Sequence, residues 1–168
     1  ETLTETRGRL ARPTLTGTPN GGAWLTWEAH DETKDDWDLC WRYRPPNTKQ
    51  WSAAKRIPNH PGHDINHRVA ADDSGAHVVW QAARGGQFEI LHARLRDDDE
   101  DPAQRLSDAA GGWHPDVALA ADGAVCVVWD AHRSRANGFD VMARWYRDEA
   151  FGPALAVAAS PAFEARAQ

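Results

Sequence analysis

Histidines and carboxylates gather in one short run, NHPGHDINH at residues 59–67, which holds His60, His63, Asp64 and His67. Imidazole and carboxylate are competent ligands for a zinc-type ion, so these four residues are the candidate metal site. No H-x-x-x-H helix and no C-x-x-C pair accompanies them, and loop histidines bonded to backbone or water are the plainer reading of the same letters. His30 and His132 each follow a Trp-x-Ala triplet; repetition of that kind favours a structural role. Trp113 is placed to stack on a sugar ring or to wedge between layers of structure. With Asp31, the candidate ligand-binding residues are His30, Asp31, His60, His63, Asp64, Trp113 and His132.

Nucleophilic chemistry has no motif here. The chain holds no G-x-S-x-G, no glycine-rich phosphate loop and no H-E-x-x-H, so no catalytic residue is assigned. The acidic run Asp97–Asp101 has clustered carboxylates but not the ligand spacing of a calcium loop, and reads as a solvated turn. Cys40 and Cys126 are the only cysteines; each sits among apolar neighbours and reads as a buried thiol, which leaves the redox compartment open.

The elements that must position these residues come from an internal repeat. GGAWLTWEAH (21–30), SGAHVVWQAA (74–83) and GAVCVVWDAH (123–132) each run from a turn signal through apolar residues to Trp, a polar residue and Ala, with Trp27, Trp80 and Trp129 spaced 53 and 49 apart. A second run follows each: WDLCWRYR (37–44), FEILHARLR (88–96) and FDVMARWYR (139–147). Shorter runs come after them, AAKRI (53–57), AQRL (103–106) and ALAVA (154–158), and before them, PTLTG (13–17), HRVAA (67–71) and PDVALA (115–120). Four short strand-like runs per period of about 50 residues fit a propeller blade and not a helical solenoid. Near-continuous apolar runs such as VCVVW predict strands covered on both faces, and Asn20-Gly21-Gly22, Asp73-Ser74-Gly75 and Asp122-Gly123 predict hairpin turns.

The expected fold is all-β: a β-propeller segment of three four-stranded antiparallel blades at about 12–58, 66–107 and 114–159. Residues 1–11 are expected to be the outer strand of a preceding blade and 160–168 the start of a following one. Such an array leaves strand edges and blade faces uncovered. The expected partners are therefore the remaining blades of a longer parent chain or a second copy closing the ring, the longer chain being favoured because stray end strands are redundant in a closed dimer. Within each blade the strands run a, b, c, d from inside to outside, so the b–c and d–a connections emerge on one face, which carries the candidate ligand residues.

At 168 residues the chain can bury a real core. A formal charge of −6, from 19 basic and 25 acidic residues, argues against a nucleic-acid partner, which calls for a basic footprint. No apolar run approaches the length of a membrane span.

The rhythm P-x-V-A…D-G-x-V-x-V-x-W-D…G-x-D-V-x-x-R…W/F-G-P…V, clearest over His114–Ala158, resembles the sialidase-like and TolB-like repeats of secreted or periplasmic bacterial β-propellers. That resemblance implies the propeller fold and an extracytoplasmic location. It does not bring sialidase activity: the S-x-D-x-G-x-T-W turn is missing, and Tyr43 and Tyr146 lie in c strands away from the channel. The function expected is a non-enzymatic propeller module that presents loops to a protein or glycan. The alternatives are a propeller hydrolase acting on glycans or peptides through the b–c and d–a loops, and a purely structural ring within a longer chain.

Overall fold

The computed structural model describes residues 8–57, 60–97, 99–109, 111–134 and 138–159, the side chains of 133 and 134 excepted. Every regular element in them is a strand. The first sheet is β1 (Leu10–Gly17), β2 (Ala23–Asp31), β3 (Asp36–Arg44) and β4 (Lys55–Arg56). The second is β5 (Asp64–Asp72), β6 (Gly75–Arg84), β7 (Gln87–Leu95) and β8 (Gln104–Arg105). The third is β9 (Trp113–Leu119), β10 (Val125–Ser134), β11 (Gly138–Arg147) and β12 (Ala150–Phe151), with β13 (Leu155–Ala158) also pairing β11. All pairs are antiparallel neighbours in sequence except β13 on β11. No helix of the described residues is long and apolar enough to cross a membrane.

The hairpin turns form where glycine and asparagine predict them. Gly21 (φ 91°) and Gly123 (φ 82°) take left-handed backbone in the first and third a–b turns, and Asp72 caps the second by accepting from Ser74 N at 2.8 Å. The outer strands are shorter than their sequence runs, two residues in β4 and β8, because only one edge of each finds a partner.

Residues 9–11 correct the expected boundary. Leu10 and Ala11 pair with Ala29 and Glu28 of β2, and Arg9 O accepts from His30 N at 2.9 Å. The length of β2 would otherwise leave its N–H groups open, so these residues extend the inner strand of the first sheet. Residues 1–7 and 160–168 lie outside the described residues.

Each sheet has a leading face, toward lower residue numbers, and a trailing face. Trp24, Leu39, Trp41, Tyr43 and Ile57 on the trailing side of the first sheet meet Val78, Trp80 and Ala82 on the leading side of the second. Val79, Ile90 and Leu106 on the trailing side of the second meet Val125, Val127 and Trp129 of the third. Trp27, Trp80 and Trp129 thus all occupy leading faces and all are buried. Alternate residues of b serve two different interfaces, which is why β6 is buried from Gly75 to Ala82 without a break.

Candidate functional site

Each inner strand carries a bulge at the same place. Pairing slips between Ala11 and Thr14, between Ile65 and Arg68, and between Trp113 and Asp116. The first skipped residue is left-handed in every case: Arg12 (φ 49°), Asn66 (φ 57°) and His114 (φ 47°). A bulge re-aims a side chain, and here all three turn to the buried polar residue that follows the repeated tryptophan, namely Glu28, Gln81 and Asp130. Arg12 Nε lies 3.7 Å from Glu28 Oε2, Asn66 Nδ2 donates to Gln81 Oε1 at 3.1 Å, and His114 Nδ1 is 3.0 Å from Asp130 Oδ2.

The sheets share these acceptors. Glu28 Oε1 is 3.2 Å from His67 Nδ1 of the second sheet, and His67 Nε2 is 2.9 Å from Thr26 Oγ1. Gln81 Oε1 also accepts from His114 N at 3.4 Å. One polar belt therefore crosses the three inner strands: Arg12, Glu28, His67, then Asn66, Gln81, His114 and Asp130.

The sequence candidates divide into local sets. His30 is buried, between Asp35 Oδ1 at 3.0 Å and Arg9 Nη2 at 3.3 Å, with Trp37 against its ring. Asp31 caps its own turn, accepting from Thr33 N at 2.9 Å and Thr33 Oγ1 at 2.6 Å; the hydroxyl bond first, then the amide, hold its pKa below the usual value. His63 Nδ1 is 3.2 Å from Asp36 Oδ1, without hydrogen-bond geometry, and His60 is exposed. Asp64 is buried and accepts from Trp80 Nε1 at 3.0 Å and Arg84 Nη2 at 2.7 Å. Burial outweighs both donors and pushes its pKa up to about 6. Trp113, His132 and Phe139 form an edge-to-face cluster in the third sheet, with Trp113 and Phe139 centroids 5.3 Å apart.

His67 spends both nitrogens on the first sheet, while Asp64 points to Trp80 and Arg84. The NHPGHDINH run thus serves several partners at once, and among the described residues no three His, Cys, Asp or Glu side chains come together as a metal-binding group. Cys40 is buried, Cys126 half-buried, and both thiols are free.

A concave site lies on the opposite, a–b face, at the seam of the first and second sheets. It is a cavity of about 290 Å³ lined by Tyr43, Thr48, Gln50, Trp51, Ser52 and Asp97. The loop after β3 is held in shape by its own bonds. Ser52 N donates to Tyr43 O at 2.7 Å, Tyr43 N donates to Ser52 Oγ at 2.9 Å, and Arg44 reaches Thr48 O at 2.8 Å and Gly21 O at 3.1 Å. The Arg44 guanidinium also sits 6.0 Å from the Trp51 ring centre. Gln50 and Asp97 make no side-chain hydrogen bond within the described residues and face the cavity with their polar groups unspent. Burial first, then Asp97 and Asp73, raise the Tyr43 pKa and keep it a neutral phenol.

Sequence reasoning missed this site. Trp51 stands where Phe151 stands in the third repeat, each just before the residue whose amide donates back to the c strand (Ser52 N to Tyr43 O, Gly152 N to Trp145 O); the larger ring in a polar loop was the available signal. Asp97 is not simply part of a solvated acidic turn, for it forms the second-sheet wall of the cavity.

No family model matches the chain, and no curated protein matches it. Solved structures do. The crystal structure of a thermostable family-43 glycoside hydrolase superposes with a TM-score of 0.58 at 11% identity, over 99% of this chain and 64% of that one. The structure of a fucose lectin from Kordia zhangzhouensis, in complex with methyl-fucoside, superposes with a TM-score of 0.52 at 14% identity, over 88% of this chain and all of that one. This chain has a propeller-type fold. It spans under two thirds of the hydrolase's length, and neither neighbour singles out the sialidase-like or TolB-like repeats.

Proposed function

We propose that the chain is a glycan-binding propeller module whose sugar site is the cavity between Trp51 and Asp97. The observation that carries this is a preformed hollow pairing an aromatic platform with unspent polar groups. The C–H face of a sugar ring packs on an indole, while its hydroxyls need both donors and acceptors close by. Gln50 supplies both kinds, and the Asp97 carboxylate accepts. Because the loop is already braced by Arg44 and Ser52, binding orders little that is not ordered beforehand. The two structural neighbours, a glycoside hydrolase and a fucose lectin, support a carbohydrate ligand in kind. We place this recognition in the extracytoplasmic setting that the repeat resemblance implies.

Hydrolysis is not part of the proposal. A glycosidase presents two carboxylates to the scissile bond, whereas Glu28 and Asp130 are buried behind Arg12, His67 and His114. Asp64 has the raised pKa of a general acid but is buried against Trp80 and Arg84.

Calorimetry against a panel of neutral saccharides, methyl-fucoside included, tests the site. Trp51→Ala and Asp97→Asn are each expected to weaken the best ligand at least tenfold, with unchanged thermal unfolding for Asp97→Asn. Trp113→Ala, on the other loop face, is expected to leave affinity alone. Loss of binding in Trp113→Ala with retention in the other two variants would move the site to the b–c face, and no saccharide binding at all would end the proposal.

A further inference from the structure

The cavity at the first seam carries charge of one sign. Among the described residues Asp97 is the only charged side chain in its lining. The cations around it are engaged or stand outside. Arg44 donates to Thr48 O and Gly21 O, Arg42 Nη1 donates to Ser52 O at 3.0 Å, and Lys49 is exposed on the same loop without lining the cavity. Asp73 adds a second carboxylate at the seam, accepting from Asn20 N at 2.9 Å. Burial first, then the charges of Asp97 and Asp73, act on the Tyr43 phenol, so both carboxylates are felt where the cavity is deepest in the sheet.

The lining is also rich in acceptors. Thr48 Oγ1 donates to Pro45 O at 3.1 Å and Ser52 Oγ to Ala53 O at 3.0 Å, so both hydroxyl protons are used inside the loop. Tyr43 is 7% exposed and its ring packs on Trp24 with centroids 4.5 Å apart. Its hydrogen bonds run through the backbone, which leaves the hydroxyl without a partner within the described residues. A polar group so deeply placed calls for a partner from outside the chain.

We propose that the preferred ligand of this cavity is a saccharide bearing a free amine, a hexosamine or a chain of them, whose ammonium pairs with Asp97. This rests on the cavity being the sugar site. An ammonium brings three donors and no acceptor, which suits an anionic lining with acceptors in excess, and a charge-assisted hydrogen bond is about twice as strong as a neutral one. Acetylating the amine removes the charge and leaves a single N–H. A uronic acid sets a second carboxylate against Asp97, and like charges in that position reject the ligand. Trp51 supplies the platform that a bare alkylamine leaves uncovered.

Calorimetry at pH 6, where a sugar amine carries its proton, compares the methyl glycosides of glucosamine, N-acetylglucosamine, glucose and glucuronic acid. The glucosamine glycoside is expected to bind at least about fivefold more tightly than the glucose one, with the glucuronic acid glycoside weakest. In Asp97→Asn, which keeps the shape of the side chain, that ratio should fall to about one, and added salt should shrink it in the unaltered chain. Nα-acetyl-lysine amide, which has the charge without the ring, should not bind. Equal affinities for the glucosamine and glucose glycosides, or a ratio that survives Asp97→Asn, would overturn the amine preference and leave the sugar site standing. A lysine derivative that binds as tightly as the glucosamine glycoside would overturn the saccharide, and failure of all four glycosides to bind would remove the sugar site itself.

Discussion

His77 and His92 share one hydrogen bond, Nδ1 to Nε2 at 2.9 Å, inside the seam between the second and third sheets. Tyr146 and Phe151 from the third sheet close over the two rings. One ring nitrogen must donate and the other accept, so the bond cannot survive with both rings protonated.

Acid should therefore loosen the fold at this seam. Burial, then Arg94, lowers the His77 pKa to about 4; burial, then His77 and Arg94, lowers that of His92 to about 3. Unfolded histidines take up protons below their ordinary value of 6.5 while the folded ones resist. Stability consequently falls as pH drops through 6.5 toward 4, by up to about 1.4 kcal/mol per pH unit for each histidine. Asp64 acts in the other direction: with a folded pKa near 6 against 3.8 unfolded, its contribution is present at low pH and lost as pH rises through 6. It offsets about one histidine between those limits. Urea titrations at pH 7.5 and 5 should show a drop that the double variant H77V/H92L largely removes. A wild-type midpoint equal at both pH values would count against the neutral pair.

The repeated tryptophans should dominate stability. Trp80→Ala or Trp129→Ala is expected to lower the unfolding free energy by about 3–5 kcal/mol, because each fills a sheet–sheet seam. Trp145→Ala, at an exposed position, should change it by under about 1 kcal/mol. Chemical denaturation gives the comparison.

Gln81 holds two donors from two strands on one oxygen. Gln81→Leu leaves the Asn66 amide and the His114 N–H without that acceptor and should lower stability by about 1–3 kcal/mol. Gln81→Glu keeps the acceptor and should do less harm at pH 7. Equal losses in the two variants would mean that the belt contributes through packing alone.

Gly62 and Gly85 separate backbone crowding from backbone conformation. A Cβ at Gly62 (φ 109°) would run into the Ala83 carbonyl, whereas one at Gly85 (φ 55°) meets nothing within 4 Å. Gly62→Ala should destabilise clearly more than Gly85→Ala, whose penalty is that of left-handed backbone alone, about 1–2 kcal/mol. Thermal melts of the two variants check the order.

The b and c strands and their turns could be read from the letters because Trp27, Trp80 and Trp129 do the same job three times. The bulges could not. Arg12, Asn66 and His114 share no chemical type, and left-handed backbone is unexpected for arginine, so no common local signal announces them. His67 looked like part of a loop cluster, but its partners Thr26 and Glu28 lie 41 and 39 residues away, a distance that periodicity does not span. The cavity escaped for a related reason: Trp51 and Asp97 come from different sheets and meet only after the first seam has closed.

Because nearly every strand pairs with its neighbour in sequence, the molecule has a preferred order of coming apart under load. Tension applied through the two ends would peel one four-strand layer at a time, each release paying out about 45 residues, or about 15 nm of extended chain. A stretched single molecule would then trace a sawtooth whose tooth spacing reports the repeat length directly.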